Sequence, residues 1–279
     1  MVIDFHTHVL PPRIKENRQP YLEKDAAFAA IYGSAQARIA TTEELLASME
    51  NDGVAVSVIT NYSWASRELL TETNDYIIES VSRYPERLVG FCALPLGSTD
   101  NALTEIERCA VTGIRGVGEL RPDLPPVDFT DTTALKPIIE ALIARNLMLM
   151  LHVSEPVGHS YPGKGTVTPD IIYPLITRFP ELTLICAHWG GGLPFYALMP
   201  EVKKALRNVY FDTAASPFLY HHRIYPQVSQ LIGAEKILFG SDYPLLPPSR
   251  YLKQIATADL READKELILG GNARRLLNV

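Results

Sequence analysis

LMLMLH, residues 147–152, is apolar at every position until it ends in a histidine. A strand with one wet face alternates polar and apolar side chains; one that does not is buried on both faces, as parallel strands covered by helices are. LTLICAH, residues 182–188, repeats the pattern and also stops at a histidine, and ILFGSD, residues 237–242, stops at an aspartate. Working outward, VIDFHTH (2–8), VAVSVIT (54–60), RLVGFCA (87–93), IRGVGEL (114–120) and VYFD (209–212) complete a set of strand candidates. The segments between them carry helical spacing, as in Leu69, Leu70, Ile77 and Val81, or Leu135, Ile138, Ile139 and Leu142. A regular alternation of this kind predicts an α/β fold, the (β/α)8 TIM barrel, as one domain over residues 1–279. An open doubly wound sheet would carry a Gly-rich phosphate turn after the first strand, and none is present there.

Local signals place the ends of several helices. Thr41 with Glu44 makes a capping box and Gly53 a stop, Asp100 and Asp131 read as N-caps, and residues 193–206 read as one helix. The C-terminal segment, 251–277, reads as helical with a break at Gly270 and Gly271. Residues 11–40 show no single period; a connection that long in a compact domain is expected to be a lid or insertion with structure of its own.

Composition narrows the class of partner. The 279 residues are 47% hydrophobic and 21% charged, with 32 acidic against 26 basic residues and no basic cluster, which argues against nucleic acid and anionic membrane. There is no basic region followed by an apolar stretch at the N-terminus and no apolar run of membrane-spanning length, so a cytoplasmic location is expected. Cys92, Cys109 and Cys186 are odd in number and far apart, and reduced thiols are expected. Chain length and helix pattern are compatible with a homo-oligomer as well as a monomer.

In a barrel the C-terminal ends of the strands share one face, where catalytic groups gather. The residues at those ends here are His6 and His8, Glu119, His152, His188, Asp212 and Asp242. Four of the chain's seven histidines fall there. Imidazoles facing buried carboxylates, with Asp242 ending an apolar run, call for a divalent cation as compensation. Asp4, on the same strand parity as His6, is a candidate to orient that ring, with packing into a lower layer as the alternative. Tyr62, Trp64, Arg121, His159, Trp189 and Gly190 to Gly192 follow strand ends and are candidates to line a pocket for a small-molecule substrate.

This order of motifs, His-x-His after the first strand, histidines after the fifth and sixth and aspartate after the eighth, resembles the amidohydrolase superfamily. FGSDYP (239–244) and GGNARRLL (270–277) are similar to its amidohydrolase-related branch, which includes decarboxylases of the aminocarboxymuconate semialdehyde type. Glu119 resembles the strand-four glutamate that bridges two metals in TatD-type hydrolases. The resemblance implies His6, His8, Glu119, His152, His188 and Asp242 as metal ligands, with Asp242 and His188 as catalytic groups. Zinc is the first expectation, as one or two ions, with manganese and iron as alternatives. On that basis the expected activity is hydrolysis, a metal-activated water attacking a small ester, lactone, amide or phosphoester. The alternative is a mononuclear, nonoxidative decarboxylase of an aromatic or muconate-type acid, with His188 then an acid/base group. An intact Asp242 beside the four histidines argues against a non-enzymatic role.

Overall fold

The apolar runs become the parallel staves of one barrel. The computed structural model describes residues 1–279 except 63, 122, 124–126 and 162. Part of the Pro-rich stretch that follows Leu120 in the sequence, and Pro162 in the segment that follows His152, lie outside the described residues. β1 (Val2–His8) is followed by α1 (Pro12–Glu16), α2 (Gln19–Lys24), α3 (Ala26–Tyr32) and α4 (Thr42–Asp52), and then β2 (Val54–Thr60). Next come α5 (Arg67–Arg83), β3 (Leu88–Cys92), α6 (Thr99–Ala110), β4 (Gly116–Leu120), α7 (Thr132–Ala144), β5 (Met148–Leu151), α8 (Pro169–Arg178) and β6 (Leu184–Cys186). The circuit continues through α9 (Pro200–Ala205), β7 (Val209–Asp212), α10 (Ser216–Leu219), α11 (Ile224–Ile232) and β8 (Ile237–Leu238), and ends with α12 (Pro248–Thr257), α13 (Glu262–Glu266) and α14 (Asn272–Leu277).

Strand order is sequential from β1 to β8, every pair parallel. The eighth stave is shorter as a ladder than the sequence suggests, because residues 239–243 close the barrel onto β1 by separate bonds. Phe5 N–H donates to Phe239 O at 2.7 Å, Asp242 N–H to His6 O at 2.9 Å and His8 N–H to Tyr243 O at 2.7 Å. Two apolar layers result. Phe5, Val58, Phe91, Met150, Ile185 and Leu238 fill the interior, with Phe5 edge-on to Phe91 at 5.9 Å. A second layer lies between staves and helices, and includes Leu45, Ile77, Ile106 and Leu175. The GGNARRLL segment belongs to the barrel's lower end: Ala273 and Leu277 pack into the interior layer, and Asn272 Nδ2 donates to the carbonyls of Ala234 and Ile237.

The Thr41–Glu44 capping box and a left-handed Gly53 bound α4, and Asp131 caps α7. At α6 the cap is Ser98, not Asp100: the Ser98 hydroxyl accepts from Asn101 N–H, and Asp100 lies in the first turn, where its charge still suits the helix dipole. The helix expected over residues 193–206 is two pieces, a 3-10 segment over His188–Leu198 and then α9, because Met199, preceding Pro200, is held extended. All three cysteines are free and buried. Among the described residues no helix is long and apolar enough to cross a membrane.

Residues 11–40 contain three short helices above the mouth. Asp25 fixes them: one carboxylate oxygen accepts from Phe28 N–H at 2.8 Å and the other from Ser66 N–H at 2.7 Å, which ties α3 to the loop after β2. Arg18 Nη1 donates to the carbonyls of Tyr32, Ser34 and Ala37, collecting the end of α3 and the turn after it.

Candidate metal centre

His6 and His8 stand on one side of β1, their Nε2 atoms 3.0 Å apart. Two nitrogens bound at about 2.1 Å to one ion and at right angles to each other would be about 3 Å apart. His6 Nδ1–H donates to Asp212 Oδ2 at 2.8 Å, so its Nε2 lone pair faces the centre. Thr60 Oγ1, which donates to Thr7 O, is 3.1 Å from His8 Nδ1 and sets that ring the same way. His188 Nδ1 faces Ala214 O at 3.3 Å, and a carbonyl only accepts, so again Nε2 is the inner nitrogen. His152 is reversed: Nε2 faces Ser154 Oγ at 3.2 Å and Nδ1 faces inward.

Glu119 joins the two halves. Oε1 lies 2.8 Å from His152 Nδ1 and 3.0 Å from His188 Nε2, and Oε2 lies 3.3 Å from His6 Nε2 and 3.5 Å from His8 Nε2. Asp242 Oδ1 is 3.2 Å from His8 Nε2 and 3.8 Å from His6 Nε2. Two local backbone devices deliver these groups. Gly118 has φ 132°, and a Cβ there would stand 2.4 Å from Met150 O, so only glycine lets β4 turn Glu119 inward. After β6 the chain runs left-handed from His188 through Gly192; at Gly191, φ 59°, a Cβ would meet Ser154 O at 2.3 Å. That turn points His188 back over the mouth.

All these side chains are buried, so their charges must balance locally. Burial opposes a proton on His6, but the charges of Asp212 and Glu119 outweigh it and hold the ring well above the usual histidine range. Burial opposes one on His188 too, yet the hydrogen bond and charge of Glu119 raise it to about 9. His152 is pushed down by burial, which Glu119 offsets only in part. Burial works against ionised Asp242, but its bond to His8 and the nearby imidazoles hold it at about 2, and Glu119 is held well below its usual range against the same penalty. The carboxylates therefore demand positive charge at the centre. Protons on the imidazoles supply it, or a divalent cation does so and leaves neutral rings as ligands. Four rings with one nitrogen fixed outward and the other turned toward buried carboxylates form a donor set that fits a divalent cation. The donors fall into two overlapping triads, His6–His8–Glu119 and Glu119–His152–His188.

Other sequence expectations fare differently. Asp4 does not touch the His6 ring: it accepts from Ser241 N–H, Ser241 Oγ–H and the backbone N–H of His6, and burial raises its carboxyl to about 7. Asp212 has the orienting place instead, while its Oδ1 also caps the turn through the N–H groups of His188 and Ala214. Trp189 is core rather than pocket, fully buried against Tyr225 with Nε1 donating to Ser216 Oγ. Trp64 donates to Thr73 Oγ1 and packs on Phe28 and Tyr32, so it supports the helices above the mouth. Tyr62 does reach the centre, stacked on His8 at 4.5 Å with its hydroxyl 3.0 Å from Nε2. His159 is exposed at the rim against Tyr161. Tyr32, from α3, was not singled out by the sequence; it is buried near Tyr62, where burial and the charges of Asp242 and Glu119 push its phenol up.

Comparison with known proteins adds the family context. The amidohydrolase family Amidohydro_2 matches residues 3–279. A 2-amino-3-carboxymuconate-6-semialdehyde decarboxylase of Dictyostelium discoideum is 22% identical over 99% of this chain and 91% of its own length. A gamma-resorcylate decarboxylase of Polaromonas sp. is 24% identical over 78% of each chain. Among solved structures, a manganese-bound 5-carboxyvanillate decarboxylase of Novosphingobium aromaticivorans superposes with TM-score 0.82 at 16% identity, over 100% of this chain and 97% of that one. These findings overturn the expectation of a hydrolase drawn from Glu119. The physical reason is in the geometry: Glu119 spends its oxygens on imidazoles of both halves, a charge-balancing position that serves either chemistry and does not select for a bridging hydroxide.

Proposed function

Because the chain belongs to the amidohydrolase family, which matches it almost from end to end, we propose that it is a metal-dependent, nonoxidative decarboxylase of an aromatic or muconate-type acid. The observation that carries this reading is the near full-length similarity to a decarboxylase in a chain whose strand ends gather four imidazoles and three carboxylates. His6, His8, His152 and Asp242 would hold one cation, zinc or manganese, with Glu119 against the same rings. When bound, such an ion supplies a positive centre for a carboxylate or phenolate oxygen.

The reaction replaces a carboxylate on carbon by a proton: the C–C bond breaks, its electron pair stays with the carbon, and CO2 leaves. His188, outside that ligand set, is the group to deliver the proton. Asp242 is the group to accept a proton from an adjacent hydroxyl, which raises the basicity of the carbon to be protonated. Tyr62, stacked on His8, with Tyr32 beyond it, lines one side of this face. The reading is tested by supplying hydroxybenzoates and muconate-type acids to metal-loaded protein and measuring CO2.

A further inference from the structure

Arg121 directly follows β4, two positions beyond Glu119, and its side chain is only 6% exposed. Nε and Nη2 donate to Asp123 at 3.4 and 3.0 Å. Asp123 is held in turn by Thr166 N–H at 3.3 Å. Guanidinium, Asp123 and His152 converge on Gly165: a Cβ there would lie 2.9 Å from Asp123 Oδ2, 3.2 Å from His152 Cδ2 and 3.4 Å from Arg121 Nη2. The loop after β5 is thus drawn down onto the pair.

An arginine carries five N–H donors in a planar fork, and Asp123 takes only one edge of it. Among the described residues Asp123 is the hydrogen-bond partner of the guanidinium, through Nε and Nη2, which leaves the Nη1 side of the fork uncommitted to it. A purely structural ion pair has no need to stand beside a candidate metal ligand, as this one does beside His152.

We propose that Arg121, held by Asp123, binds a second acidic oxygen of the substrate, a carboxylate or phenolate distinct from the carboxylate that is lost. The inference rests on the decarboxylase reading for its substrate class and makes Arg121 a specificity residue for diacids and hydroxy acids. A planar fork with one edge anchored presents its other edge for two parallel bonds to an oxyanion, which a lysine cannot reproduce.

The test is calorimetric binding of isophthalate and cis,cis-muconate, both dianions, against benzoate, on the manganese-loaded full chain. One charge-assisted contact predicts that at least one dianion binds about ten- to a hundredfold more tightly than benzoate, and that Arg121→Met removes the preference with benzoate affinity and manganese content held. Arg121→Lys recovers part of it. No preference in the native protein for either dianion overturns the proposal without recourse to a variant, as does an equal loss for benzoate and dianion. Binding is read without turnover, so a preference that depends on Arg121 in a protein releasing no CO2 would remove the decarboxylase reading and leave the anion site.

Discussion

Asp212 grips His6 from behind, its Oδ2 accepting the Nδ1 proton at 2.8 Å with both side chains fully buried. The bond fixes which nitrogen of His6 faces the centre, so the carboxylate acts on metal affinity through the ring, without being a ligand itself. Asp212→Asn keeps an acceptor but loses the charge. It is expected to weaken metal binding about 10- to 100-fold, read by competition with a chelating dye. Unchanged affinity would mean the ring is held by packing alone.

Metal and stability are expected to move together. An ion at 100 times its dissociation constant adds about 2.7 kcal/mol to the folded state. Chelation should therefore lower the melting temperature of the native protein, while His6→Ala and His8→Ala start lower and respond little. Full metal occupancy in both variants would remove this pair from the site.

The left-handed turn after β6 should tolerate no side chain at its tightest point. Gly191→Ala adds a Cβ 2.3 Å from Ser154 O at φ 59°, which is expected to cost about 1–3 kcal/mol and to displace His188. Turnover should then fall more than metal content. Wild-type stability by urea unfolding would contradict the strain.

Away from the centre, Glu105 is mostly buried and accepts from Asn74 Nδ2 and Arg108. Burial raises its pKa, but these bonds win and hold it below the usual glutamate range. A depressed folded pKa adds stability that is fully present above the unfolded value, about 4.3, and is lost as pH falls through the folded one. Glu105→Gln should thus be less stable than wild type by about 1–2 kcal/mol at pH 7, with the gap closing below pH ~4. A gap independent of pH would assign the loss to packing.

The barrel was legible because buried parallel strands write themselves as apolar runs, and the polar residues ending those runs mark the candidate centre. His6, His8, Glu119, His152, His188 and Asp242 were all readable in this way, and the structure brings them together. Asp212 was readable as a strand end but not as the partner of His6, since parity favours Asp4, whereas the register of β1 is irregular between Asp4 and Thr7 and Asp4 bonds Ser241 instead. Tyr32 was not legible at all. It reaches the mouth through three short helices whose docking depends on one carboxylate, Asp25, bonding to two backbone amides, and no periodicity records such a contact. Glu119 does not decide between hydrolysis and decarboxylation: at that strand end it resembles a metal bridge, but its two oxygens balance imidazole charge whichever chemistry follows.

The most direct measurement is release of labelled CO2 from carboxyl-labelled hydroxybenzoates and muconate-type acids by protein loaded with manganese or zinc. The account predicts metal-dependent release from at least one acid, abolished by chelation and nearly lost in Asp242→Asn and His188→Asn. No release from any acid of the panel, with metal-dependent turnover of esters or lactones by the same preparation, would contradict it.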